Sequence, residues 1–329
     1  MRDRIRTAIV TAITLALAWT VLAVGPVAAA APKVVIIVGP TGAQTASYRS
    51  TGDAIAATAV AAGATVVKVY SPNATWANVR AAVNGANIIV YLGHGNGYPN
   101  PYGSTELTDR TNGWGLNRTT TNGDSDNWST TMVYCGEKAL LGTLTSSDGA
   151  AQRQYCTGGI NPAPGFVMIY NKACYAPGAG EGFDVKATES VAYQRVRHFS
   201  YPVLKKGASA YFATDVGNGA SGLVDLILRN PTMTYGDVAR NAPGYDAVAQ
   251  RHFGHSDLAG KQVWIQRTSG HGGMDYWFGY AGNPSASFAN PGAPPVPSSL
   301  AVVRHAGADR YATAAAVSAA SFAPGVPVA

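Results

Sequence analysis

Two residues in this chain have the chemistry of a base and a nucleophile, and each follows an apolar run. Ile88-Ile89-Val90-Tyr91-Leu92 leads into Gly93-His94-Gly95, and further along Phe166-Val167-Met168-Ile169-Tyr170 leads into Asn171-Lys172-Ala173-Cys174. Short apolar runs of this kind suit strands buried on both faces of a parallel sheet, and open α/β sheets gather their chemistry at the carboxyl ends of such strands. A histidine and a cysteine delivered to two such ends can meet, the imidazole taking the thiol proton. Gly93 and Gly95 keep the backbone beside His94 open, with the Gly95 amide able to face an oxyanion.

Cysteine parity points the same way. Three cysteines in an exported chain leave one over. Cys135 and Cys156 sit in polar, Gly- and Thr-rich surroundings and form the expected disulfide, closing a loop of about twenty residues worth roughly 3 kcal/mol. Cys174 is then the free thiol, either reactive or an inert buried cysteine.

The elements that must position these residues follow from the pattern. Lys33–Val38, Thr65–Tyr70 and the run ending before His94 read as strands. A helix from about Tyr48 to Ala62, with Ile55, Ala59 and Val60 on one face, separates the first two. A short helix capped by Ser71 or Asn73 precedes the third. Right-handed crossovers and a parallel sheet follow from that order. Thr188 begins a helix with Ala192, Val196 and Phe199 on one face, which Pro202 should end. Ala210–Ala213 is a strand ending at Asp215, Leu223–Leu228 a helix and Val263–Gln266 a late strand. The irregular, Gly-, Asn- and Trp-rich stretch of about 98–164 reads as a packed insertion beside the site.

The two loops together resemble the caspase-like (clan CD) cysteine peptidases, the class of caspases, metacaspases, legumain, gingipain and clostripain. Those carry an apolar block ending in His-Gly and then one ending in Ala-Cys. The resemblance implies an α/β fold with a mostly parallel sheet flanked by helices, over roughly residues 33–230. It makes His94 the catalytic histidine, Cys174 the nucleophile, and the Gly95 and Cys174 amides the oxyanion hole. The long insertion departs from the familiar members, and papain-like folds place the cysteine first. Glu181 and Asp184 follow Cys174 closely and either line its site or are solvated. Asp215 either recognises a basic side chain or caps a turn.

The chain ends carry localisation signals. Arg2, Arg4 and Arg6, an apolar stretch from Ala8 to Val24 and an alanine-rich exit make residues 1–31 a signal peptide, an uncleaved anchor helix being the alternative. With it removed, no membrane contact is expected. The chain's net charge is +6, and the first 31 residues hold three Arg and one Asp, which leaves +4. With 13% charged residues and no basic stripe, a nucleic-acid partner is excluded. After a caspase-like domain at 32–282, Asn283-Pro284 through Pro297 reads as a Pro-rich linker (283–299). Arg304, Gly307, Asp309, Arg310, Tyr311 and Thr313 then form a string similar to the opening of the bacterial cell wall-binding repeat type 2. The resemblance implies cell-wall polymers as partner. One partial repeat at 300–329 cannot bury its own face, so further repeats are expected beyond Ala329.

The combined expectation is a secreted, cell wall-associated cysteine peptidase acting on peptide or protein substrates. Two alternatives remain: a non-catalytic surface-binding protein, and a metal-dependent wall amidase using His252, His255, Asp257 and His271. Gly254 between the first two histidines and the lack of a nearby Glu favour solvated loop histidines, so no metal ligands are assigned. No cofactor is expected, with calcium at Asp124 and Asp126 left open; the EF-hand ligand series is missing.

Overall fold

The structure is a computed structural model that describes residues 30–271 and 274–292. The signal-peptide expectation and the wall-binding repeat fall on residues outside these.

The apolar runs form one eight-stranded sheet in the order β2-β1-β3-β6-β7-β10-β9-β8. Its first five members, β1 (Lys33–Val38), β2 (Thr65–Tyr70), β3 (Ile88–Leu92), β6 (Val167–Asn171) and β7 (Ala210–Thr214), are parallel. β1, β3, β6 and β7 are almost wholly buried because helices cover both faces, as continuous Val/Ile/Leu/Tyr runs require. β10 (Met274–Gly282), β9 (Gln262–His271) and β8 (Gln250–Gly254) complete the sheet antiparallel. The sheet is therefore mostly parallel, with an antiparallel edge that the sequence pattern shows only at 263–266.

Helices α1 (Thr45–Ala61), α6 (Gly219–Arg229) and α7 (Tyr235–Asn241) pack on one face, burying Ile55, Leu223 and Val238 against Val34, Val90 and Phe212. Helices α2 (Trp76–Val83) and α5 (Glu189–Lys205) cover the other, with Val79 and Phe199 against Val35 and Tyr170. On this second face lies the insertion, which carries a two-stranded antiparallel ribbon, β4 (Trp114–Asn117) with β5 (Met132–Cys135), and the short helices α3 (Glu137–Leu141) and α4 (Ala150–Tyr155).

Four local expectations are corrected. Val60 faces solvent, since the buried stripe of α1 runs through Gly52, Ile55, Ala56 and Ala59. Thr75 caps α2, its hydroxyl accepting from the Asn78 amide, instead of Ser71 or Asn73. Pro202 lies inside α5. A proline there lacks one backbone donor, but burial of Pro202, Val203 and Leu204 favours continuing the helix. The stretch read as a linker from Asn283 is folded at its start: Ala286 and Ser287 are buried, and the Tyr235 amide donates to the Ala286 carbonyl at 2.7 Å. Pro284 and Pro291 there pack at ends and turns, which their composition alone does not separate from a linker.

Candidate active site

β3 and β6 are adjacent, with Leu92 beside Asn171 in register. His94 leaves one strand two residues later and Cys174 leaves the other three residues later, so both loops emerge at the same carboxyl edge. Their backbones touch. A Cβ on Gly95 would stand 1.8 Å from the Cys174 carbonyl oxygen and 2.6 Å from its amide nitrogen. Only glycine permits that approach. Among the described residues, neither the Gly95 amide nor the Cys174 amide donates a hydrogen bond.

The cysteine loop holds an unusual backbone. Lys172 and Tyr175 flank Ala173-Cys174 with φ of 57° and 67°. Left-handed conformations cost non-glycine residues of order 1 kcal/mol each, and such strain collects at functional sites. Tyr175 is held there by packing and by its hydroxyl, which donates to Asp184 Oδ2 at 2.8 Å.

His94 is fixed by residues the sequence pattern did not single out for it. Tyr91, fully buried, donates its hydroxyl to the His94 carbonyl at 2.9 Å while accepting from the Gly115 amide. Asp126 Oδ2 lies 3.1 Å from His94 Nε2. That leaves Nδ1 as the ring nitrogen for a reacting group. Trp128 stands against the imidazole at 5.8 Å between ring centres and stacks on Tyr134. The Tyr134 hydroxyl accepts from the Asn96 amide at 2.9 Å, just past the histidine. Asp126, Trp128 and Tyr134 all come from the insertion. Asp124, paired with it as a calcium candidate, instead binds Arg49 and Ser71.

Cys174 is the free cysteine, half-buried, while Cys135 and Cys156 are joined at a Cα separation of 5.4 Å. The thiol donates to Glu181 Oε2 at 3.4 Å. No hydrogen bond joins it to His94 among the described residues. Burial first, then Glu181, Asp215 and Asp184, push the Cys174 thiol far up, the reverse of a thiol activated at rest. Tyr48, from α1, is kept protonated by burial and then by Cys174, Asp215 and Glu181. Asp215 follows β7, so the acidic residues read from the sequence do converge near the thiol.

Beside the two loops opens a cleft of about 370 Å³, walled by Tyr102, Leu107, Arg110, Trp128, Tyr175 and Glu181. Buried Arg195 fastens two of its walls, donating to the carbonyls of Pro99 and Gly178 and lying 4.7 Å over the Tyr175 ring.

His252 and His255 are each engaged elsewhere, and the side chain of His271 lies outside those described. His252 stacks on Trp264 at 3.9 Å, and His255 is buried beside Ser200 and the Asp257 amide. Burial holds both down at about 4. Both serve packing, and these two histidines lend the wall amidase expectation no support. No group of three or more His, Cys, Asp or Glu converges as a metal site among the described residues. Among them, too, no helix is long and apolar enough to cross a membrane.

No protein-family model and no curated protein matched the sequence. Among solved structures the chain is similar to the crystal structure of gingipain R, an Arg-specific cysteine proteinase. The identity is 16% and the TM-score 0.32, over 78% of this chain and 61% of that one.

Proposed function

We propose that the protein is a caspase-like cysteine peptidase, secreted and held at the cell wall by C-terminal repeats. The observation that supports this reading is the contact of the Gly95 and Cys174 backbones at adjacent strand ends, with both amides undonated. In this mechanism His94 takes the Cys174 proton, and the sulfur forms a bond to the scissile carbonyl carbon. The developing oxyanion accepts from the Gly95 and Cys174 amides. The carbon–nitrogen bond then breaks and His94 protonates the leaving amine. Water, with His94 again as base, hydrolyses the thioester and restores the thiol. Asp126 holds the imidazole tautomer and stabilises the imidazolium.

A peptidyl acyloxymethyl ketone tests the reading together with hydrolysis of a denatured protein. The wild type should be labelled on Cys174 and should cleave; Cys174→Ala should do neither. His94→Ala should lower both by at least about a hundredfold. Asp126→Ala should lower kcat by about ten- to a hundredfold, with KM little changed. Labelling of His94→Ala at the wild-type rate would overturn the dyad. The depressed acidity of the resting thiol favours a second reading, a non-catalytic surface-binding protein, which surface function preserved in Cys174→Ala would support.

A further inference from the structure

The resting contact of Cys174 is wrong for a permanently active nucleophile. A thiol donating to a carboxylate keeps its proton, and a thiolate formed there would face Glu181 at hydrogen-bond distance. Asp184 cannot relieve this, because it is already engaged by the Tyr175 and Tyr102 hydroxyls and the Glu181 amide. Among the described residues Glu181 forms no ion pair, and the thiol is its side chain's one hydrogen-bond partner. Yet the same residue lines the cleft, so Glu181 holds the thiol and also borders the space that a ligand would enter.

We propose that Glu181 is a substrate-sensing latch: a guanidinium or ammonium group entering the cleft binds its carboxylate and thereby frees Cys174 to ionise towards His94. The inference rests on the peptidase reading and deepens it. A cation at Glu181 replaces the thiol as the carboxylate's partner and cancels the foremost of the three charges that oppose the thiolate, those of Asp215 and Asp184 remaining. Linkage makes the coupling reciprocal, so the cation binds more tightly to the ionised site by the same factor. The thiol proton passes to His94, whose other nitrogen faces Asp126. Reactivity then appears only when the cleft is filled, and an empty site resists adventitious oxidation and alkylation. Trp128 and Tyr102 along the cleft supply aromatic faces suited to a cation's stem.

Alkylation of the full chain by iodoacetamide reads the latch directly, since the other two cysteines are paired. Agmatine serves as the guanidinium probe and butylurea as its neutral counterpart. At pH 7 saturating agmatine should raise the Cys174 alkylation rate at least about tenfold, the change produced by lowering the thiol pKa one unit below its midpoint; butylurea should leave it unchanged. Glu181→Gln should react faster than wild type at rest and should ignore agmatine, while Glu181→Asp should keep the agmatine response. Wild type indifferent to agmatine or slowed by it, or Glu181→Gln responding as wild type does, would overturn the latch. Alkylation requires no peptide cleavage, so the two readings fail separately. An agmatine response without hydrolysis of any peptide would remove the peptidase and leave the latch. Hydrolysis indifferent to basic residues, with no agmatine response, would remove the latch alone.

Discussion

Position 95 has no room for a methyl group. The atoms that would meet it belong to the Cys174 backbone, which cannot rotate away as a side-chain end can. One of the two loops must move in Gly95→Ala, and displacements near 1 Å in a reacting constellation cost about a hundredfold in rate. Gly95→Ala should thus lose at least that factor in Cys174 labelling while Gly103→Ala, on the same cleft wall with open space around it, keeps the wild-type rate. Equal labelling of both variants would sink the close-approach argument. His94 and Cys174 were legible because each rides on an apolar strand. Asp126 stands in the sequence only as a calcium candidate, because nothing in a polar run without periodicity says which imidazole its carboxylate will meet. Tyr91 is one more member of an apolar run in the sequence, and its hydroxyl bond to the His94 carbonyl is set by β4 arriving alongside.

The insertion is the element that completes the histidine side of the site, and the disulfide holds it together. Cys135 ends β5 directly after Tyr134, while Cys156 caps the end of α4. Closing a loop of this length removes denatured-chain entropy worth about 3 kcal/mol. In a domain of this size that should lower Tm by about 6–12 °C in Cys135→Ala/Cys156→Ala, measured by calorimetry. The same variant should lose Cys174 reactivity before global unfolding, because Tyr134 loosens its grip on Asn96. An unchanged Tm would contradict that account. At this scale the pattern is clear where burial on both faces forces continuous apolar runs: β1 and β3 match their expected limits. It is weak at β8 and β9, where Gln250, Arg251 and Gln262 interrupt the apolar runs and β8 is a half-exposed antiparallel edge. The ribbon β4–β5 has four residues a side, too short for any period to show.

At the scale of the whole molecule, part of the acid and base response lies at a seam away from the thiol. Glu106, Glu137, Arg197, His198, Tyr201 and Asp257 line a cavity of about 250 Å³ where the cleft loop, α3, α5 and the turn after β8 meet. His198 Nδ1 pairs with Glu106, and Arg197 pairs with Asp257. Glu137 has no ion pair among the described residues; burial first, then Glu106 and Asp257 against Lys138, push its carboxyl up to about 7. A carboxyl whose native pKa exceeds its unfolded value near 4.5 binds its proton more tightly when folded. Its stabilising contribution is full below about 4.5 and disappears as the pH rises through 7. His252 and His255 act oppositely: held at about 4 in the fold against 6.5 unfolded, they favour folding above 6.5 and withdraw that support as the pH falls towards 4. Replacing Glu137 by a neutral isostere separates the two effects. Glu137→Gln should raise Tm at pH 8, where the wild type carries a buried charge, and leave it nearly unchanged at pH 4, where the carboxyl is neutral in the fold and mostly neutral in the unfolded chain. A gain of equal size at both pH values would assign the effect to packing, and a loss at pH 8 would mean that the ionised carboxylate is stabilised across this seam.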